Sequence, residues 1–245
     1  MIAAPAPAEA FDPGLLFRAV DIAGVAANGL LGGAVARARR FDLIGFLVLA
    51  IISGLGGGII RDVMLGTGLP VALTDPWYLA SAIAAAVLAY AVSFDGTWSR
   101  RGLIVADFLA LGCWSATGAA KGLALGLDPL PCILLGTITA VGGGMVRDVL
   151  VGTVPAIFGG TPVYATFAVL GSAEMVLVGS LVSRDAGMAV AILSCLVLGL
   201  LARRRHWRLP GPIEPHLLGR AAQRRKTRPR KRIPRRVAER RKGAP

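Results

Sequence analysis

Charged and aromatic residues are scarce in this chain of 245 residues. Only 17% of the residues are charged and 6% are aromatic, whereas 55% are hydrophobic and the mean hydropathy is +0.66. An ordinary soluble domain has about 25% charged residues. The composition therefore argues against a water-soluble enzyme and predicts an integral membrane protein built from α-helices.

Several functional signals are also missing. Strictly alternating polar and apolar residues, which mark an outer-membrane barrel, do not occur. Residues 1–10 lack a basic stretch followed by an apolar one, so we expect no cleavable signal peptide. The two histidines lie in the C-terminal basic tail, away from any nucleophile, and no metal-ligand spacing is present. We therefore predict no enzyme activity, no metal site and no cofactor, and we interpret the three cysteines as small buried hydrophobic residues: Cys113, Cys132 and Cys195.

Apolar residues form seven segments that are long enough to cross a membrane, since a bilayer core needs about 20 apolar residues per helix. They cover about 17–35, a segment from 42, 76–92, 103–123, a segment from 130, 162–182 and 186–201. Glycine is abundant, with 32 residues, and this favours close packing of helices. The predicted fold class is an all-α integral membrane protein with seven transmembrane helices.

Arginine clusters fix the predicted orientation. They lie at 37–40, at 100–101 and from 203 onward, and all three fall on one side of the membrane if there are seven spans. By the positive-inside rule, the N-terminus lies outside and the C-terminus in the cytoplasm of an inner (plasma) membrane protein. Residues 203–245 hold 17 Lys/Arg against 2 Asp/Glu. We expect this tail to be disordered and to bind anionic lipid rather than nucleic acid.

An internal repeat appears at an offset of 86 residues. Residues 56–67 match 142–153, and the same offset pairs Asp21 with Asp107, Asp42 with Asp128, Pro76 with Pro162, and Tyr78 with Tyr164. Each copy contains three spans, and an odd number means that the second copy enters the membrane from the opposite side. The predicted organisation is an N-terminal extracellular segment at 1–14, inverted three-helix repeats at 15–100 and 101–185, a seventh helix at 186–202, and the basic tail at 203–245.

Each repeat carries three glycines followed by an arginine and an aspartate. Between 43 and 73 the only charged residues are Arg61 and Asp62. A straight helix of that length would measure about 46 Å, whereas the hydrocarbon core is about 30 Å thick. The element must therefore kink, break or re-enter, and the glycines are its weakest point. A break would expose backbone groups, which a membrane tolerates only against protein or water.

The charged residues after the glycines are candidates for an ion or substrate path, because charges at membrane depth are costly. The inverted symmetry could pair Arg61 with Asp148 and Arg147 with Asp62. Two other interpretations stay open: anchoring of helix ends at the interface, and structural salt bridges within the bundle.

Four further charged residues could line a polar path or serve packing. For Asp21 and Asp107 the simplest interpretation is stabilisation of a helix N-terminus. Lys121 can extend towards the membrane surface. Glu174 lies in the middle of the sixth span, and its repeat counterpart is Leu88, so we expect a pore role or a polar partner.

The doubled glycine–arginine–aspartate element resembles that of the prokaryotic trimeric intracellular cation (TRIC) channels, which are also described as a bacterial glycine-transporter domain family. The resemblance covers about residues 15–202. It implies a homotrimer with one pore per protomer, permeability to K⁺ and other monovalent cations, lipid in crevices, and a pore lined by kinked second and fifth helices. The pore residues that it implies are Gly56, Gly57, Gly58, Arg61, Asp62, Gly142, Gly143, Gly144, Arg147 and Asp148.

An arginine beside a cation path would repel the ion unless the neighbouring aspartate neutralises it. Carbonyls freed at the glycines could then supply the attractive field. A secondary transporter of a small amino acid such as glycine is the alternative, since inverted repeats with broken helices are typical of transporters. A purely structural scaffold is the third hypothesis.

Overall fold

The structure, a computed structural model, describes residues 14–92, 94, 96–158 and 163–207. In these ranges the regular structure is helical throughout. The helices are α1 (Gly14–Ala38), α2 (Leu43–Leu65), α3 (Val71–Thr74), α4 (Pro76–Ala91), α5 (Thr97–Ala124), α6 (Pro129–Leu150), α7 (Tyr164–Leu181) and α8 (Arg184–Arg205), with a 3₁₀ turn at Ala156–Phe158.

The predicted fold class is confirmed. Six of the described helices are long and apolar enough to span a membrane: α1, α2, α5, α6, α7 and α8. The shorter apolar helix α4, of 16 residues, occupies the place of the third predicted span. Helix α8 continues through Arg205, so the first three arginines of the predicted tail are helical. Of the predicted N-terminal segment only Gly14 is described, as the first residue of α1, and the basic tail beyond 207 lies outside the described residues.

Helices α2 and α6 both run through their glycine triplets without interruption. The predicted break or re-entry at the glycines is therefore wrong, whereas the predicted kink of these helices stays a prediction. Helix α2 stops instead at Gly66, whose φ of 62° lets its N–H donate to the carbonyl of Asp62. The chain up to position 73 then belongs to a loop and to α3, so α2 measures about 35 Å at 1.5 Å per residue, not 46 Å.

The repeats are visible in the packing. In the first repeat α1, α2 and α4 all contact one another, and in the second α5, α6 and α7 do the same. The repeats meet where α2 packs on α6 and α1 packs on α5, while α8 packs on α5 and α7.

The middle glycine of each triplet forms the crossing of α2 and α6. A Cβ on Gly57 would overlap the carbonyl oxygen of Thr139, and a Cβ on Gly143 would lie 2.5 Å from that of Ser53. These two contacts are equivalent by the offset of 86, so a pseudo-two-fold axis passes between them. Glycine is needed here because the two backbones touch.

Two smaller features complete the fold. Arg18 donates two hydrogen bonds, of 2.6 and 2.8 Å, to Asp75 before α4, and these bonds hold the pKa of Asp75 below its ordinary value.

The three cysteines are free and buried, as predicted: Cys113, Cys132 and Cys195.

Candidate functional site

A buried arginine joins two carboxylates in the first repeat. Arg61 on α2 is 0% exposed. Its Nε donates to Asp62 Oδ1 at 2.8 Å, and its Nη1 donates to both oxygens of Asp21 on α1 at 3.1 Å. In the part of the chain that the structure describes, its Nη2 has no hydrogen-bond partner, and it lies near Gly58. The guanidinium thus ties α1 to α2.

Other helices complete the coordination of these carboxylates. The hydroxyls of Tyr78 on α4 and Thr117 on α5 each donate to Asp21 at 3.0 Å. Lys121 Nζ on α5 binds Asp62 Oδ1 at 2.8 Å, and the backbone N–H of Val71 donates to Asp62 Oδ2 at 2.9 Å. We call this group the Arg61 cluster: Asp21, Arg61, Asp62, Tyr78, Thr117 and Lys121.

The Arg61 cluster contains two carboxylates and two cations, and each carboxylate binds a cation directly. Lys121, with a side chain 13% exposed, is its most accessible charge. The charges of the Arg61 cluster therefore balance, and this matters because a buried charge without a partner is strongly destabilising. The Arg61 cluster therefore serves as a polar core that links α1, α2, α4 and α5.

The equivalent residues of the second repeat are arranged differently. Arg147 Nε and Nη2 both bind Asp148 Oδ1, at 2.9 and 2.8 Å. The Ala156 N–H donates to Asp148 Oδ2 at 3.1 Å, and the Tyr164 hydroxyl donates to Asp107 Oδ1 at 2.9 Å. Across 14–92, 94, 96–158 and 163–207, no salt bridge joins Arg147 to Asp107. Among the described residues, Arg147 thus forms salt bridges only with the neighbouring Asp148 on its own helix, and one oxygen of Asp107 accepts no hydrogen bond.

A cavity of about 40 Å³ lies among these residues. We call it the Arg147 cavity, and its polar or backbone lining includes Asn28, Asp107, Gly144, Arg147, Asp148 and Tyr164. The side chain of Asn28 is nearly fully buried, with 4% of the residue exposed, and its Nδ2 donates to Ser53 O at 2.8 Å. Its Oδ1 receives no hydrogen bond from any described residue. The cavity therefore contains two unused oxygen acceptors, one on Asp107 and one on Asn28.

Three positions on α5 place side chains around the Arg61 cluster, and sequence reasoning missed them. Trp114, Thr117 and Lys121 share one face of α5, at i, i+3 and i+7. Thr117 and Lys121 bind the two carboxylates of the Arg61 cluster, and Trp114 packs beside Gly57.

The offset of 86 places three different residues on the matching face of α1. They are Asn28, Leu31 and Val35, so an amide replaces the indole and two apolar side chains replace the hydroxyl and the ammonium. A comparison of α1 with α5 at that offset would have found these positions.

Several sequence predictions about the charges are wrong. Arg61 does not pair with Asp148, nor Arg147 with Asp62; each arginine binds the aspartate next to it. The Nε of each arginine donates to the neighbouring aspartate on its own helix. The crossing of α2 and α6 at the glycines separates the two arginine–aspartate pairs.

The simplest interpretations of three other charges also fail. Asp21 is the eighth residue of α1, and Asp107 is the eleventh of α5, too far from the N-terminus for a dipole role. Lys121 binds Asp62 instead of extending to the surface. Glu174 on α7 does have a polar partner, because it accepts a hydrogen bond from Ser194 on α8.

The glycines of the triplets occupy two kinds of place. The first, Gly56 and Gly142, and the second, Gly57 and Gly143, are buried at the crossing of α2 and α6. The third glycines are less buried, and a Cβ there would lie 3.8 Å from Arg61 and 3.7 Å from Arg147. Of the six, Gly144 lines the Arg147 cavity.

Comparison with known proteins places this geometry in context. The chain matches the family model described as "Glycine transporter" over residues 18–93 and 104–180, one segment in each repeat. It is 33% identical over 192 residues to a membrane protein of Deinococcus radiodurans, covering 78% of this chain and 89% of the relative. It is 31% identical over 195 residues to the inner membrane protein YadS of Escherichia coli, covering 78% and 93%.

Solved structures give the same result. A structure that describes conductance through TRIC cation channels matches with a TM-score of 0.71 and 32% identity, covering 82% of this chain and 99% of the other. The TRIC trimeric intracellular cation channel orthologue from Rhodobacter sphaeroides matches with a TM-score of 0.74 and 27% identity, covering 79% and 100%.

Proposed function

Since the chain belongs to the TRIC family, whose model is described as a glycine transporter, we propose that it is a membrane channel for monovalent cations, K⁺ among them. One observation carries the proposal: the fold matches solved TRIC cation channels over 99–100% of their length at 27–32% identity. The family model matches both repeats, at residues 18–93 and 104–180, and these ranges include Arg61, Asp62, Arg147 and Asp148.

The charges at membrane depth support a path for cations rather than anions. The Arg147 cavity contains two carboxylates and one arginine, and that arginine is already bound to Asp148. Because α2 and α6 are continuous, carbonyls freed at the glycines are not the source of the attractive field. On this proposal the carboxylates supply it instead.

The assembly that goes with this function is a homotrimer with one pore in each protomer, along α2 and α6. The Rhodobacter sphaeroides relative is described as trimeric. The place that we propose for this pore is the Arg147 cavity, which lies among α1, α5, α6 and α7. The proposed location is the inner membrane, as for the Escherichia coli relative, with the N-terminus outside.

Secondary transport of glycine is the second candidate, favoured by the description of the family model. One observation weighs against it. The uninterrupted α2 and α6 offer no half-helix N-terminus to bind a carboxylate.

Single-channel recording of the purified protein in planar bilayers tests the proposal. A K⁺ gradient is applied with and without glycine, and liposomes of the same preparation are assayed for glycine uptake. We expect discrete current steps that reverse near the K⁺ potential and do not depend on glycine. Silent bilayers together with saturable glycine uptake would overturn the channel in favour of the transporter.

A further inference from the structure

We propose that the Arg147 cavity is a binding site for one monovalent cation, with Asp107 and Asn28 Oδ1 as its ligands, and that the Arg61 cluster cannot bind one. This inference rests on the proposed channel function, because it identifies where along the path a cation is held. It also has an equilibrium test that does not require current to flow.

Charge is the first argument. In the Arg61 cluster two cationic side chains neutralise two carboxylates, whereas the Arg147 cavity has one cationic side chain for two carboxylates. The further cation whose charge acts on Asp107 is Arg203, at the end of α8; it is exposed and forms no salt bridge with Asp107 in the described part of the chain. A monovalent cation beside Asp107 would balance the second repeat as Lys121 balances the first.

Unused acceptors are the second and independent argument. The Tyr164 hydroxyl binds Oδ1 of Asp107 and leaves Oδ2 free. Asn28 is held in place by its bond to Ser53 O, and its own Oδ1 accepts nothing from the described residues. An oxygen acceptor on α1 and one on α5 therefore remain available to a cation that enters between these helices.

Size is the third argument. The volume of about 40 Å³ has room for an ion of water-like radius with one or two of its waters. It does not admit a fully hydrated ion. The site would thus favour a large, weakly hydrated alkali ion, which exchanges water for carboxylate and amide oxygens most readily.

The first repeat shows what excludes a cation. The Trp114 indole occupies the place of Asn28, Thr117 donates to the carboxylate that corresponds to Asp107, and Lys121 binds the one that corresponds to Asp148. Trp114 thus fills the space that an ion would need, Thr117 occupies the free acceptor, and Lys121 neutralises the negative charge.

Cation binding at equilibrium tests the proposal. Purified protein in lipid nanodiscs is exchanged into a buffer whose only cation is N-methylglucamine and is titrated with RbCl by calorimetry, and crystals grown in RbCl are measured for anomalous scattering. We expect one Rb⁺ per protomer in the Arg147 cavity. Asp107→Asn should weaken binding by about tenfold or more, because a full charge is lost at contact distance. The matched control, Asp42→Asn, changes an exposed carboxylate and should bind as the parent does.

A second variant tests the comparison of the repeats. Val35→Lys introduces on α1 the counterpart of Lys121, beside Asp148, and should abolish Rb⁺ binding while the protein elutes as the parent does. It keeps the test valid if Asp107→Asn does not fold.

Failure of this inference differs from failure of the proposed function. Parent protein that conducts K⁺ but shows no Rb⁺ in the cavity, or equal binding by the parent and both variants, would overturn the inference and leave the channel intact. Rb⁺ that binds at Asp107 in a protein with silent bilayers and saturable glycine uptake would support the site and overturn the channel.

Discussion

The Arg61 cluster and the Arg147 cavity derive from the same repeated sequence and reach opposite states. One is balanced in charge and holds an arginine whose side chain is 0% exposed; the other contains space, an excess carboxylate and an arginine whose side chain is 14% exposed. The repeated glycine–arginine–aspartate element is identical in the two places and does not determine the difference. The neighbouring helix does, through three positions on one face.

This comparison separates two roles that charged residues have in a membrane bundle. A buried charge whose partners come from four helices contributes to the fold, since removing one partner leaves the other charges without compensation. A charge that binds only its sequence neighbour leaves the surrounding carboxylates free for an ion. Substitutions made in pairs, one in each repeat, distinguish these roles.

The largest difference is expected from the two arginines. Arg61→Met leaves Asp21 and Asp62 buried together and should lower the free energy of unfolding by about 3–5 kcal/mol. Arg147→Met removes the partner of Asp148 alone and should cost about 1–2 kcal/mol. Reversible unfolding in mixed micelles measures both. Equal losses would mean that the second arginine also has a structural role.

The next largest effect concerns two adjacent glycines on α2. Gly57→Ala forces the added Cβ against the carbonyl of Thr139, so α2 and α6 must separate, at a cost of about 1–3 kcal/mol. Gly58→Ala, the control, meets nothing closer than Arg61 Nη2 at 3.8 Å and should be neutral or slightly stabilising. Thermal unfolding of the two variants checks the order, and a stable Gly57→Ala protein would contradict the crossing described above.

A smaller effect is expected for conduction. Asp148→Asn removes a carboxylate from the Arg147 cavity and should lower K⁺ conductance several-fold, by about 1 kcal/mol in ion affinity. Asp42→Asn is the control, because asparagine caps a helix as well as aspartate does. Single-channel recordings at equal K⁺ concentration compare the two variants. Indistinguishable conductances would mean that Asp148 does not line the ion path.

The smallest effect contrasts the caps of α2 and α6. Asp42 accepts a hydrogen bond of 2.8 Å from the Gly45 N–H, whereas the side chain of its counterpart Asp128 makes no capping bond. Asp42→Ala should therefore cost about 1 kcal/mol, and Asp128→Ala less. The two midpoints of thermal unfolding should differ in that order; the reverse order would be inconsistent with the caps.

Much of the fold could be predicted from the sequence, because hydropathy indicates the spans and the internal repeat indicates how they are arranged. The bilayer requires apolar segments of a set length, so the spans were recognisable, and an odd number of spans per repeat indicated the inversion. The family could be recognised from the doubled element. What composition could not decide was whether three glycines break a helix or let two helices touch, since both need the same residue.

The partners of the charges could not be predicted for a different reason. Pairing depends on which way each side chain turns and on helices far away in sequence. Asp21 and Thr117 are 96 residues apart and still hydrogen-bonded. The sequence identified Arg61, Asp62, Arg147 and Asp148 as exceptional but suggested pairs across the repeats, because it could not show that Nε of each arginine folds back on its neighbour.

The divergence between the α1 and α5 faces also gives the molecule a direction. A chain duplicated and inserted in opposite senses would, with identical copies, present the same chemistry to both aqueous compartments and pass current equally well either way. Asn28, Leu31 and Val35 differ from their counterparts, so the two ends are not interchangeable. If the protein is the channel proposed above, we expect it to rectify, and turning the protein over in a bilayer should reverse the sign of that rectification.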